Sequence, residues 1–105
     1  MSDNIEATFD YNEIDDTIHA RIRLAIMTIL LARGKTDFAT LKQQIKTTDG
    51  NLSTHLRKLE DAEYISLKKS FVERKPITIY WVSEKGKIAY SNYLKTIESL
   101  INIKD

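Results

Sequence analysis

The stretch Asp49 to Leu59, DGNLSTHLRKL, constrains the fold of this chain more than any other. Leu52, Leu56 and Leu59 recur at the spacing that puts three side chains on one face of a helix. Between them stand Asn51, Ser53, Thr54, His55, Arg57 and Lys58, which are short hydrogen-bonding groups followed by cations. A helix anchored by the leucines turns these groups outward. Short polar groups suit base edges, and cations suit phosphate. The expected element is the recognition helix of a helix-turn-helix, opened by a turn at Asp49-Gly50.

The rest of the chain fits around it. A helix is expected from about Asp16 to Ala32, capped by Asp15, Asp16 or Thr17 and stopped by Gly34. One stripe on it comprises Ile18, Ile22, Ala25, Ile26 and Ile29. A second comprises Leu24, Met27 and Leu31, which suggests cover on two sides, the second from a partner subunit. Thr36 or Asp37 should cap a short helix to Ile45, with Phe38, Leu41 and Ile45 inward. Thr47 to Gly50 then forms the turn, completing two short helices in sequence.

Tyr64 to Lys69 and Ile77 to Val82 alternate and are rich in β-branched and aromatic residues, as strands are. They predict a hairpin with a long tip from Ser70 to Pro76, carrying Arg74 and Lys75, with Lys68 and Lys69 at the tip end of the first strand. Ser83 should cap a last helix of about 20 residues, whose apolar face holds Tyr90, Tyr93, Leu94, Ile97, Leu100 and Ile101. Nothing follows to cover that face. It packs back on the first helix or pairs with a second copy.

Composition narrows the function classes. With 105 residues there is room for one domain. No cysteine is present, which excludes disulfides, thiol nucleophiles and thiolate metal sites. No apolar run reaches the roughly 20 residues of a membrane helix, and the acidic start does not read as a signal peptide, so a cytoplasmic protein without a membrane partner is expected. The net charge of +1 conceals an asymmetry: residues 1–16 hold six acids and no Lys or Arg, leaving 16 bases against 9 acids elsewhere. A basic body fits nucleic acid, and equally a solvated surface. Weak alternation of Ile5, Ala7, Phe9 and Tyr11 suggests an extended arm or short strand at the acidic start.

No phosphate loop, nucleophile elbow or zinc-protease motif occurs, so no catalytic residue, enzyme activity or cofactor is expected. Asp15, Asp16 and His19 sit at helical spacing, but a cap with a solvated charge pair explains them better than a metal site. His55 reads as a packing or phosphate-contacting histidine. The three glycines, Gly34, Gly50 and Gly86, read as turn or cap positions.

In order, the segments IHARIRLAIMTIL (Ile18 to Leu30), DFATLKQQI (Asp37 to Ile45), DGNLSTHLRKLEDAEYI (Asp49 to Ile65) and VSEKGKIAY (Val82 to Tyr90) resemble the winged helix-turn-helix regulators. That broad group includes the MarR and ArsR families, and the likeness is greatest to the small winged helix DNA-binding domains. The resemblance covers about Phe9 to Ile101. It implies a mainly α, α+β fold: a three-helix core, a two-stranded hairpin wing and a long C-terminal dimerisation helix. The expected layout is an acidic arm over 1–15, the DNA-binding domain over 16–82 and the dimerisation helix over 83–105.

The resemblance further implies a sequence-specific transcriptional regulator that binds double-stranded DNA as a homodimer on a near-palindromic operator. Asn51, Ser53, Thr54, His55, Arg57 and Lys58 match the recognition helix, and Lys68, Lys69, Arg74 and Lys75 match the wing. Leu24, Met27, Leu31 and the apolar face of the last helix match the dimer interface. Some relatives bind small effectors between the terminal helices, but no residue here marks such a site. One departure stands out: Glu63 occupies a position after the recognition helix where the family commonly has glycine. The alternative reading is a winged-helix module for protein contacts or architecture, without sequence-specific DNA binding.

Overall fold

The computed structural model describes residues 10–102. The alternating positions Ile5, Ala7 and Phe9 of the acidic arm lie outside them. A single 3-10 turn, Tyr11–Glu13, comes first. Helix α1 spans Arg21–Arg33, strand β1 Thr36–Asp37, helix α2 Phe38–Ile45 and helix α3 Asp49–Asp61. Strands β2 (Ile65–Val72) and β3 (Lys75–Val82) form the hairpin, and helix α4 runs Glu84–Asn102.

The first helix starts later than its periodicity suggested. Asp15 does cap, but it caps a separate turn: its carboxylate accepts from the N–H groups of Thr17 (2.8 Å) and Ile18 (3.1 Å). Ala20 is then fully extended, at φ −149° and ψ 134°, so α1 begins at Arg21 without a side-chain cap. The detour drops Ile18 into the core, where it is completely buried.

Apart from Leu31, both stripes of α1 are covered at least in part within one chain. Ile26, Met27 and Leu30 join the core, while Ile22, Leu24 and Ile29 pack on its margin. The expected cover of Met27 by a partner is therefore corrected: α1 is central, with α2, α3 and β3 all packed against it. Of the second stripe only Leu31 remains exposed. Gly34 ends the helix at φ +83°, a conformation glycine adopts without a Cβ penalty.

Asp37 caps α2, accepting from Thr40 N–H at 2.8 Å, and the Thr40 hydrogen bonds hold its carboxyl below the usual range. The turn to α3 comes earlier than expected. Lys46 takes the left-handed conformation at φ +61°, and Thr48 caps α3 through Asn51 N–H at 3.1 Å. Asp49 and Gly50 thus belong to the first turn of α3 rather than to the loop. Leu52, Leu56 and Leu59 are all buried, as the leucine stripe requires. Glu63 closes α3 at φ +65°, so a non-glycine does carry the left-handed bend.

The sheet has three strands in the order β1-β3-β2, all antiparallel. β1 is short and pairs Thr36 with Tyr80 and Asp37 with Ile79. The long hairpin tip is also corrected. Pairing continues to Val72 and Lys75, leaving Glu73 and Arg74 as a two-residue turn. Their φ values of +51° and +69° fit the left-handed turn that matches strand twist. At the other end of the hairpin, Ser83 Oγ accepts from Gly86 N–H at 3.0 Å and donates to Glu63 O at 2.7 Å, which starts α4 as expected.

Candidate nucleic-acid interface

With its leucines turned inward, α3 presents Ser53, Thr54, Arg57 and Lys58 to solvent. These four side chains and Asp61 line one shallow groove along the helix. Asp61 adds an acid that the sequence reading had not placed there. Asn51 is exposed but partly engaged, its amide donating to Thr47 Oγ1 at 3.3 Å. Lys42 and Asp49 form an exposed ion pair at 2.9 Å between α2 and the start of α3.

His55 is different. It is half-buried, and its Nδ1 lies 2.8 Å from the guanidinium of Arg23 on α1. An arginine only donates, so Nδ1 accepts and the ring proton sits on Nε2. The same guanidinium donates to Thr17 O at 2.5 Å and to Asp16 O at 3.4 Å. Arg23 therefore ties the segment before α1 to the outward flank of α3. It was missed in the sequence. The available signal was a cation set between Ile22 and Leu24, on the apolar stretch of the helix.

Burial lowers the His55 pKa below its ordinary 6.5, and the positive charges of Arg23 and Lys58 lower it further. Protonation opposes the Arg23 contact. A histidine whose folded pKa is depressed stabilises the fold above its unfolded pKa and loses that contribution as pH falls through the folded value. The melting temperature should therefore drop between pH 7 and pH 5.5. His55→Gln, whose side-chain oxygen accepts from Arg23 without titrating, should flatten that slope, as read by thermal melts across the range. An equal slope in both proteins would show that His55 is not the group responsible.

Two further contacts hold the segment before α1. Tyr64 OH donates to Asp15 Oδ2 at 2.5 Å, and Tyr93 OH pairs with His19 Nδ1 at 2.8 Å. Burial, the hydrogen bond to Asp15 and its charge push the Tyr64 hydroxyl up to about 12. Asp15 and His19 are thus spent on structural contacts, and among the described residues no group of acids and histidines converges as a metal site.

On the hairpin, Lys68, Lys69, Arg74 and Lys75 are all exposed. Lys68 and Lys69 lie mid-strand, opposite Ile79 and Thr78, rather than at the tip. Of the residues assigned to a dimer interface, Met27 and Tyr93 are buried in the chain's own core. Leu24, Tyr90 and Ile97 pack partly against that core. Leu31, Leu94, Leu100 and Ile101 stay exposed, together with Ile88, which had not been singled out.

A helix with a polar outer face, followed by a cationic hairpin, is the layout of a known family. Its sequence model, described as a winged helix DNA-binding domain, matches residues 22–101. The chain belongs to this family. The chain is similar to an uncharacterized protein of Methanocaldococcus jannaschii, 35% identical over 79 residues, which cover 75% of this chain and 86% of that one. A transcriptional regulator homologue from Pyrococcus horikoshii has a similar structure, with a TM-score of 0.77 at 28% identity, over 85% of this chain and 88% of that one.

Two more distant winged helix structures share the fold. A MepR-like protein complexed with pseudoligands has a TM-score of 0.69 at 16% identity, over 90% of this chain and 66% of that one. An ArsR family transcriptional regulator has a TM-score of 0.57 at 18% identity, over 85% of this chain and 87% of that one. The family is that of winged helix DNA-binding domains, and the fold is one shared with transcriptional regulators. None of the described helices is long and apolar enough to cross a membrane.

Proposed function

We propose that this protein is a sequence-specific DNA-binding transcriptional regulator that acts as a homodimer in the cytoplasm. In this reading α3 enters the major groove. Arg57, Ser53 and Thr54 face base edges, Asn51 flanks them, and Lys58 meets phosphate. Arg74, Lys75, Lys68 and Lys69 hold the backbone or the neighbouring groove. His55, on the flank of α3, acts through its contact with Arg23 rather than by touching DNA.

The observation that carries the reading is the division of labour on α3: three buried leucines, and an outer face whose Ser53, Thr54, Arg57 and Lys58 are all exposed. Exposed Leu94, Leu100 and Ile101 on α4 supply an apolar face for a second copy. A two-fold pair would place its recognition helices about 34 Å apart on a near-palindromic site.

Selection of duplexes from a random pool tests this directly. A near-palindrome should emerge, bound by two copies in sedimentation. On that duplex Arg57→Ala should relax the preference at one base pair per half-site, worth about 1–3 kcal/mol. Lys75→Ala should weaken all duplexes alike and reduce the log–log salt slope by about 1. A pool that yields no enriched sequence would refute sequence-specific recognition, leaving protein contact or architecture as the role of the fold.

A further inference from the structure

The two strands of the hairpin share one face through four successive cross-strand pairs: Ile65 with Val82, Leu67 with Tyr80, Lys69 with Thr78, and Phe71 with Pro76. The first two pairs belong to the core or pack on it. The third is polar. The fourth is apolar again, although Phe71 lies about 13 Å beyond Leu67 at the strand rise per residue. Phe71 is 73% exposed and the adjacent Val72 53% exposed. Nothing else among the described residues covers this ring.

The surroundings decide what does. Lys68, Lys69, Arg74 and Lys75 flank the apolar tip, with Glu73 the one acid among residues 68–76. A surface meant for an apolar protein partner excludes lysine from its centre. A tip that combines cations with an aromatic ring and a proline suits a polyanion that also has an apolar interior. Duplex DNA has both. Its minor groove is walled by phosphates and floored by base edges, and apolar side chains that enter it part the base steps and bend the duplex. The tight Glu73-Arg74 turn keeps the tip no wider than two strands.

We infer that Phe71, backed by Pro76, enters the minor groove beside the recognition site and bends the DNA there. Resting on the DNA-binding reading above, this assigns the wing an apolar wedge in addition to its cations. Specificity then extends to flanking steps that α3 never touches, because steps that unstack easily are bent at lower cost.

The test uses the full chain and the duplex it selects from the random pool, labelled at its ends for energy transfer. Phe71→Ala should weaken binding about tenfold, as expected for a large side chain losing half its burial. It should also relax the bend and leave the salt slope unchanged, since no phosphate contact is lost. Phe71→Trp should retain both affinity and bend, and Lys75→Ala should lower the slope with the bend kept. Parental affinity and bend in Phe71→Ala would overturn the wedge, while the selected duplex would still uphold DNA recognition, and the tip would then be free for a protein. Failure of the parent chain to select any duplex would remove both readings together.

Discussion

Gly86→Ala should destabilise the fold by about 3 kcal/mol or more, a large share of what a small domain has to spare. Gly86 is buried in the first turn of α4, where the helix leaves the hairpin. A Cβ built there would lie 2.1 Å from Tyr64 O, 2.9 Å from Tyr64 C and 2.8 Å from Val82 Cγ1. Two of those neighbours are backbone atoms, so no side-chain rotation relieves the overlap. Tyr64 O is also the acceptor for Ser83 N–H, which fixes it in place. Relief requires α4 to move off the hairpin, and the Ser83 cap would go with it. Urea unfolding should show a markedly lower midpoint. Gly50→Ala is the internal contrast. Gly50 is helical with nothing within 4 Å of an added Cβ, so that change should stabilise by about 0.5 kcal/mol through the usual helical preference for alanine. A midpoint for Gly86→Ala equal to the parent's would refute the steric account.

Leu52→Ala should cost about 2–5 kcal/mol, the range for emptying a buried leucine site. Leu52 is completely buried in the cluster that also takes Leu56, Leu59 and Ile26. The buried residues of α3 are Leu52, Leu56 and Leu59, so each is a third of its anchorage. The neighbouring Ser53 is exposed and its side chain makes no hydrogen bond among the described residues, and Ser53→Ala should stay within about 0.5 kcal/mol of the parent. Chemical denaturation of the two variants gives the comparison. Similar midpoints for both would mean that α3 is not held by its leucines, and the outward presentation of its polar face would lose its basis.

Much of this molecule was legible beforehand because its signals are local. Leucine spacing located α3, alternation located the two long strands, and Asp37 and Ser83 marked helix starts through their own side chains. The errors fall where a distant partner decides. Asp15 has the composition of a helix cap, but Ile18 is drawn into the core and the helix restarts five residues later. β1 is two residues long and exists only because β3 offers an edge to Thr36 and Asp37. The hairpin turn lacks glycine, so nothing in Glu73-Arg74 announces a tight reversal. On the candidate interface, the exposed polar positions of α3 followed from its leucine stripe, since facing is a matter of periodicity. The contact of His55 with Arg23 joins residues 32 apart in the chain, and no spacing rule reaches that far. Met27 and Tyr93 looked like surface for a partner because one helix was read alone, whereas packing of the other elements covers them.

The segment that precedes α1 has a practical consequence for anyone trimming this protein. The match to the family's sequence model begins at residue 22. A fragment started there would lack Ile18, one of the fully buried side chains. It would also lack Asp15 and His19, leaving the hydroxyls of Tyr64 and Tyr93 without their partners. Arg23 would keep His55 but lose both carbonyls that orient its fork. The cooperative unit is therefore longer than the matched segment, and its upstream limit lies at or before Asp15.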